Sequence, residues 1–152
     1  MVKMVKLLPL FIAVSVLGAC GSSMSSVPVQ GEDKELAALA GEWKGEFEGD
    51  TRERRGTIAF DLELGRHTAN AKVIMNSTAG APVDLKVEYL KVVNGQLRGK
   101  IEPYMDPGCN CTVNTEFEGS LTSGFIVGTY VAAMDADGKK LTGQWSAERI
   151  DD

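Results

Sequence analysis

The chain has 152 residues, enough for one modest hydrophobic core and too few for two. Its 43% hydrophobic and 24% charged residues exclude both a disordered chain and a polytopic membrane protein. A formal charge of −5 argues against a nucleic-acid partner, and 17 glycines favour turns and strands over long helices.

At the N-terminus, Lys3 and Lys6 precede an almost unbroken apolar run from Leu7 to Leu17, followed by the small residues Gly18 and Ala19. A positive start, a short apolar middle and a small-residue end make the pattern of a secretory signal. The run is well short of the ~20 residues that span a bilayer as a helix. The segment Leu17-Gly18-Ala19-Cys20 resembles the lipobox of bacterial lipoproteins. That resemblance implies cleavage before Cys20 and acylation of Cys20, palmitate included, so that the domain is membrane-anchored. Several acyl chains on one residue hold stably where a single chain is marginal. Gly21 follows the cysteine where an Asp would retain a Gram-negative lipoprotein at the inner membrane. By the same resemblance the address is the outer membrane, with the domain in the cell envelope facing the periplasm or the cell surface. The expected organisation is a signal peptide over 1–19, a lipidated flexible tether over 20–35 and a β-barrel domain over 36–152. Loss of Lys3 and Lys6 with the signal takes the 16 basic residues to 14 against 21 acidic, a net charge of −7.

After the Ser-rich tether, with Pro28 and Gly31 continuing it, Asp33 to Ala40 carries one short helical pattern with Leu36 and Leu39 on one side. From Gly41 the period becomes two, and eight strands are predicted. The first, 41–49, alternates Trp43, Gly45 and Phe47 with Glu42, Lys44, Glu46 and Glu48. The second, 56–64, directs Ile58, Phe60, Leu62 and Leu64 inward, and a turn at 65–67 leads to a third with Ala69, Ala71, Val73 and Met75. Val83, Leu85, Val87 and Tyr89 define a fourth, with a shift near Leu90 that marks a bulge. Asn94-Gly95 is a type I′ hairpin signal leading to a fifth strand with Leu97, Gly99 and Ile101, ended by Pro103. The last three are predicted over 112–120, 124–132 and 140–149.

No crossover helix fits between these strands, so the sheet is expected to be antiparallel. Closing it on itself removes both edges, and an all-β, eight-stranded antiparallel up-and-down barrel is the predicted fold, with a two-layer sandwich as the alternative. The inward small residues Gly45, Ala69, Ala71, Gly99 and Gly143 suit a narrow, packed barrel.

Leu39-Ala40-Gly41-Glu42-Trp43, a helical turn entering a strand through Gly-x-Trp, resembles the start of a lipocalin or another calycin, and Gly143 to Arg149 resembles the closing strand of such barrels. The resemblance implies that Arg149 packs over Trp43 as a structural cation–π contact closing the barrel. The compact, Gly-rich hairpins are closer to avidin-like barrels, but no ligand residues carry over.

With Cys20 acylated, Cys109 and Cys111 remain in Tyr104-Met105-Asp106-Pro107-Gly108-Cys109-Asn110-Cys111. In an oxidising compartment a disulfide is the default, provided that a turn brings the two together. A soft-metal site with Met105 and a pair of free thiols are the alternatives. His67, the one histidine, is read as a polar turn residue, and no catalytic triad is built around it. Arg52, Arg54 and Arg55, interleaved with acidic residues, read as a solvated hairpin end. The carboxylate pairs Glu46/Glu48 and Glu116/Glu118 read as solvated strand faces, and Asp135 to Gly138 as a hairpin turn. Tyr89, Tyr104, Tyr130 and Trp145 are candidate lining residues for a ligand cavity, or equally core filling. No catalytic residue, metal ligand or cofactor site is expected. The expected function is non-enzymatic: binding a small apolar ligand or lipid at the barrel mouth, or, alternatively, contacting a protein partner as a protease inhibitor or assembly accessory.

Overall fold

The computed structural model describes residues 23–78 and 80–150. The expected signal sequence, Cys20 and the first residues of the expected tether lie outside them. The described residues form β1 (Ser25–Gln30), α1 (Asp33–Leu39), β2 (Gly41–Gly49), β3 (Arg54–Leu62), β4 (Thr68–Ser77), β5 (Val83–Leu85), β6 (Val87–Val93), β7 (Gln96–Asp106), β8 (Cys111–Thr122), β9 (Phe125–Met134) and β10 (Lys140–Ile150).

The strands close into a ring in the order β1, β6, β7, β8, β9, β10, β2, β3, β4, with β1 pairing back onto β4. The all-β closed barrel is therefore present, but it has nine strands in the ring and one extra, β5, and it is not wholly antiparallel. The correction lies in β1. Residues 25–28 pair antiparallel with β4, and Val29 and Gln30 pair parallel with Leu90 and Lys91 of β6. This strand wedges between β4 and β6 in the half of the barrel nearer α1, while β5 takes the place beside β4 at residues 73–75 in the other half. Of the expected tether over 20–35, residues 25–30 are thus strand and 33–35 are the start of α1. Val27 and Val29 drive the change: both are fully buried, with the polar residues between them turned out, so ordering this segment removes two β-branched side chains from water, about 1.5–3 kcal/mol each.

The remaining departures are local. The second predicted strand starts at Arg54 and ends at Leu62, leaving Leu64 75% exposed beyond it rather than inward. The fourth is divided, with β5 and β6 separated at Lys86 and the register shift between Val87 and Tyr89. β7 continues through Pro103, which sits where the pairing with β8 is irregular between Ile101 and Tyr104, so its missing N–H disturbs no regular ladder. At Asn94-Gly95 both residues have positive φ, 51° and 73°, as the type I′ turn requires.

The alternating burial of each strand turns Trp43, Phe60, Val73, Leu97, Ile126, Tyr130 and Trp145 into the core. Glycines stand directly opposite aromatic residues on neighbouring strands, Gly143 opposite Tyr130 and Gly99 opposite Phe117. A Cβ at Gly143 would collide with the Tyr130 ring and the Glu48 carbonyl, and one at Gly99 with Phe117. The inward glycines are thus the space into which the aromatic rings pack.

Candidate functional site: the barrel lumen and its two ends

One end of the barrel, the floor, is closed by α1. Leu36 and Leu39 are buried against the lumen, and Trp43 Nε1 donates to the Leu39 carbonyl at 2.8 Å. The Arg149 guanidinium lies 4.8 Å from the Trp43 ring centroid and donates through Nη2 to the Ala38 carbonyl. Gly41 joins α1 to β2 with φ of 120°, a left-handed backbone that brings the chain against the aliphatic stem of Arg149. The Glu35 carboxylate accepts hydrogen bonds from the Asn94 and Gly95 amides, both at 3.0 Å, and so ties α1 to the β6–β7 hairpin.

Above the floor lies a cavity of about 100 Å³. Its lining is apolar and includes Trp43, Phe47, Phe60, Phe117, Tyr130 and Trp145. Phe117 meets Trp145 edge to face at 5.8 Å, Phe47 meets Tyr130 at 6.0 Å, and the Trp145 indole donates to the Glu118 carbonyl at 3.1 Å. Among the described residues, Thr115 and Tyr130 are the lining residues with a side-chain oxygen.

The opposite end, the mouth, carries the links between β2 and β3, β7 and β8, and β9 and β10. Here Arg54, at the start of β3, reaches across to Asp106, at the end of β7, and forms an ion pair through Nη2 and Oδ2. The two strands are not neighbours in the ring, so the pair is a strut over the lumen. It is buried: the Arg54 side chain is 11% exposed and Asp106 as a whole 3%. Asp106 also organises the loop beyond it, accepting from the Gly108 amide at 2.7 Å on Oδ1 and from the Asn110 amide at 2.8 Å on its carbonyl. That loop folds Cys109 and Cys111 together with Cα atoms 5.2 Å apart and their sulfurs in contact. The turn uses Asn110 at φ of 50°. Met105 faces outward and is 57% exposed while Cys111 faces in, so the three sulfur side chains do not converge.

Two tyrosines complete the mouth. Tyr104 places its hydroxyl 3.7 Å from Met75 Sδ and bonds Thr115. Burial pushes its pKa up, with Arg54 opposing the shift and Asp106 adding to it. Tyr130 is 8% exposed, and burial, again opposed by Arg54, pushes its pKa up to about 12. The Tyr130 hydroxyl and Arg54 Nη1 are both buried with no hydrogen-bond partner. Other atoms of the two residues border a second cavity of about 150 Å³, lined also by Asp50, Lys140 and Thr142. Asp50 is engaged there, accepting a hydrogen bond from the Thr142 hydroxyl.

Of the predicted lining residues, Tyr130 and Trp145 meet in the lumen. Tyr104 packs partly buried beside it, and Tyr89 lies half-exposed next to the bulge in β6, away from the cavity. The arginine cluster needs correction. Arg52 is exposed beside Glu48 and Arg55 is exposed, but Arg54 is turned in and buried. The missed signal was parity, since Arg54 shares its face with Ile58, Phe60 and Leu62. Asp106 left no such signal, because the irregularity at 101–104 breaks the alternation before it. His67 is exposed, 4.0 Å from Asp33. Glu46, Glu48, Glu116 and Glu118 all face out. Among the described residues, no three His, Cys, Asp or Glu side chains gather as a metal site would need, and no helix is long and apolar enough to cross a membrane. No protein family, curated protein or solved structure matches the chain.

Proposed function

We propose that this chain is an envelope lipoprotein, anchored through Cys20 at the outer membrane, whose barrel binds one small apolar ligand without transforming it. The observation that carries the reading is the lumen cavity. An apolar cavity of this kind offers water few partners and suits an apolar guest instead. At about 100 Å³ it is smaller than the ~300–1,000 Å³ of ordinary ligand pockets, so the guest is a short hydrocarbon group and not a whole lipid. Cys109 and Cys111 are read as a disulfide, suited to an oxidising envelope, that holds the mouth loop.

The start of β1 sharpens the anchoring part of this reading. Ser25 is the fifth residue after Cys20, and at ~3.5 Å per extended residue the barrel is held within roughly 18 Å of its anchor. A ligand would then be exchanged close to the bilayer surface.

Native mass spectrometry of the protein purified from membranes tests the function: a small bound mass is expected. A second reading, a protein-binding module, is favoured by Phe125, Val127 and Val131, which are exposed in a row on the outer face of β9. An empty barrel that captures one protein partner through that face would overturn the first reading for the second. For the anchor, Cys20→Ser is expected to move the protein from the membrane to the soluble fraction. An unchanged membrane fraction would overturn lipidation.

A further inference from the structure

The charges of the barrel are unevenly spread around the ring. β4, β1, β6 and β7 are neighbours, with β5 beside β4, and residues 68–105, which supply all of this wall except β1, carry five basic and three acidic residues. The basic ones are Lys72, Lys86, Lys91, Arg98 and Lys100; Lys72 and Lys100 are partly buried and the others exposed. β1 adds no charge. The rest of the described chain has nine basic against sixteen acidic residues. A chain that is acidic as a whole thus has one wall with a positive excess. Arg98 pairs with Glu118 and Lys100 with Glu88, whereas among the described residues no carboxylate pairs with Lys86 or Lys91.

The same wall is where the chain leaves the barrel toward Cys20. Ser25 stands opposite Ala71 of β4, and Leu85 opposite Val73, two residues further along that strand. The backbone therefore comes out of the side of the barrel, between its two ends, with Lys72 on β4 and Lys86 after β5 bordering the exit. Gln30, at the other end of β1, pairs with Lys91, which places Lys91 about 17 Å along the strand from Ser25. A short tether leaving from the side turns that side toward whatever holds Cys20. Screening limits the field of each charge to ~8 Å at physiological ionic strength, so the wall in contact decides the interaction and the net charge of the molecule does not.

We infer that the wall formed by β4, β1, β6 and β7 rests on an anionic lipid surface, with Lys86 and Lys91 against the headgroups and the side carrying β10 and β2 turned to water. The inference rests on the acyl anchor at Cys20 and is independent of the lumen. The test separates docking from anchoring.

Full-length protein, purified from cells with its N-terminus as processed there, is inserted from outside into vesicles of phosphatidylglycerol with phosphatidylcholine, or of phosphatidylcholine alone. Its lysines are acylated with a membrane-impermeant reagent and followed by mass spectrometry. Lys44 on β2 and Lys140 on β10, both exposed on the opposite side of the ring, serve as references. Going from neutral to anionic vesicles is expected to slow Lys86 and Lys91 at least about fivefold, the factor that one lysine beside a charged surface accounts for, and to leave the references within about twofold. High salt is expected to abolish the difference. Lys86→Glu combined with Lys91→Glu, at exposed positions that leave the core intact, is expected to release Lys100 on the same wall, so that it reacts alike in both vesicles. Continued slowing of Lys100 in that variant overturns the role of the two lysines. Equal rates in the two vesicles at Lys86 and Lys91, with the protein still floating with the lipid, overturn the docking and leave the anchor standing. Slowing at Lys44 and Lys140 instead puts the other wall on the membrane and also overturns it. Protein that floats with neither vesicle overturns the anchor, and the docking with it.

Discussion

The two ends of the barrel close by different physics. At the floor, α1 presses Leu36 and Leu39 onto the lumen, and Trp43 Nε1 and Arg149 Nη2 donate to carbonyls of the same helix, with Arg149 Nε buried and unpaired. The contacts are short in sequence except where Arg149 comes in from the last strand and where Glu35 bonds the Asn94 and Gly95 amides. At the mouth, closure depends on an arginine and an aspartate 52 residues apart, on a loop folded around that aspartate, and on two buried donors with nothing to bond. A floor built mainly of apolar packing and backbone hydrogen bonds holds the barrel shut. A mouth built around a buried ion pair between distant strands holds it shut by charge.

The strongest way to break this contrast is to remove half of the strut. Arg54→Ala leaves Asp106 buried and uncompensated and is expected to cost about 3–5 kcal/mol in urea unfolding, whereas replacing both partners with Arg54→Met and Asp106→Leu recovers most of that loss. If the single change costs under about 1 kcal/mol, the mouth is wet and the strut is an ordinary surface pair. At the floor, Leu39→Ala deletes a fully buried side chain and is expected to cost about 2–5 kcal/mol in urea unfolding. Smaller still, Glu35→Ala removes the acceptor for two hairpin amides. Because these lie near the surface and water replaces the carboxylate, about 1 kcal/mol is expected. Hydrogen exchange should quicken at Asn94 and Gly95 and not at the mouth.

The floor was also the more legible end. Leu36, Leu39, Trp43 and Arg149 carry a helical spacing, a Gly-x-Trp step and a place in the last strand, all readable from local pattern. The strands from β2 onward were legible for the same reason, since each holds a period of two for seven residues or more outside the β5–β6 break. β1 was hidden because Val27-Pro28-Val29 is too short an alternation to separate from linker, and its proline lowers strand propensity. Its burial comes from β4 and β6, some 40 and 60 residues away in the chain, a tertiary effect that local pattern does not carry. The mouth failed differently. Arg54 sits among exposed charges in sequence, and only the inward parity of β3 separates it from Arg52 and Arg55. Asp106 becomes an inward residue only after the irregularity at 101–104 has reset the alternation. The strut joins strands on opposite sides of the ring, a juxtaposition that depends on closure.

The smallest expected effect separates the ends most finely, because it concerns a single hydroxyl. Burial raises the Tyr130 pKa from its ordinary 10.0 to about 12. Below pH ~10 the hydroxyl is protonated in both folded and unfolded chains and makes no pH-dependent contribution. Between the two values the unfolded chain loses the proton and the folded one keeps it. Stability therefore falls as pH rises, by about 2–3 kcal/mol once the folded pKa is reached. Tyr130→Phe removes this fall, and near neutral pH it also removes an unpaired buried oxygen, so the variant is expected to be as stable as the parent or more stable by up to about 1 kcal/mol. Urea midpoints of the two proteins, followed from neutral to alkaline pH, should start close together and separate in favour of the variant. Parallel curves would mean that Tyr130 ionises as it does in water. The mouth would then be solvated like any loop.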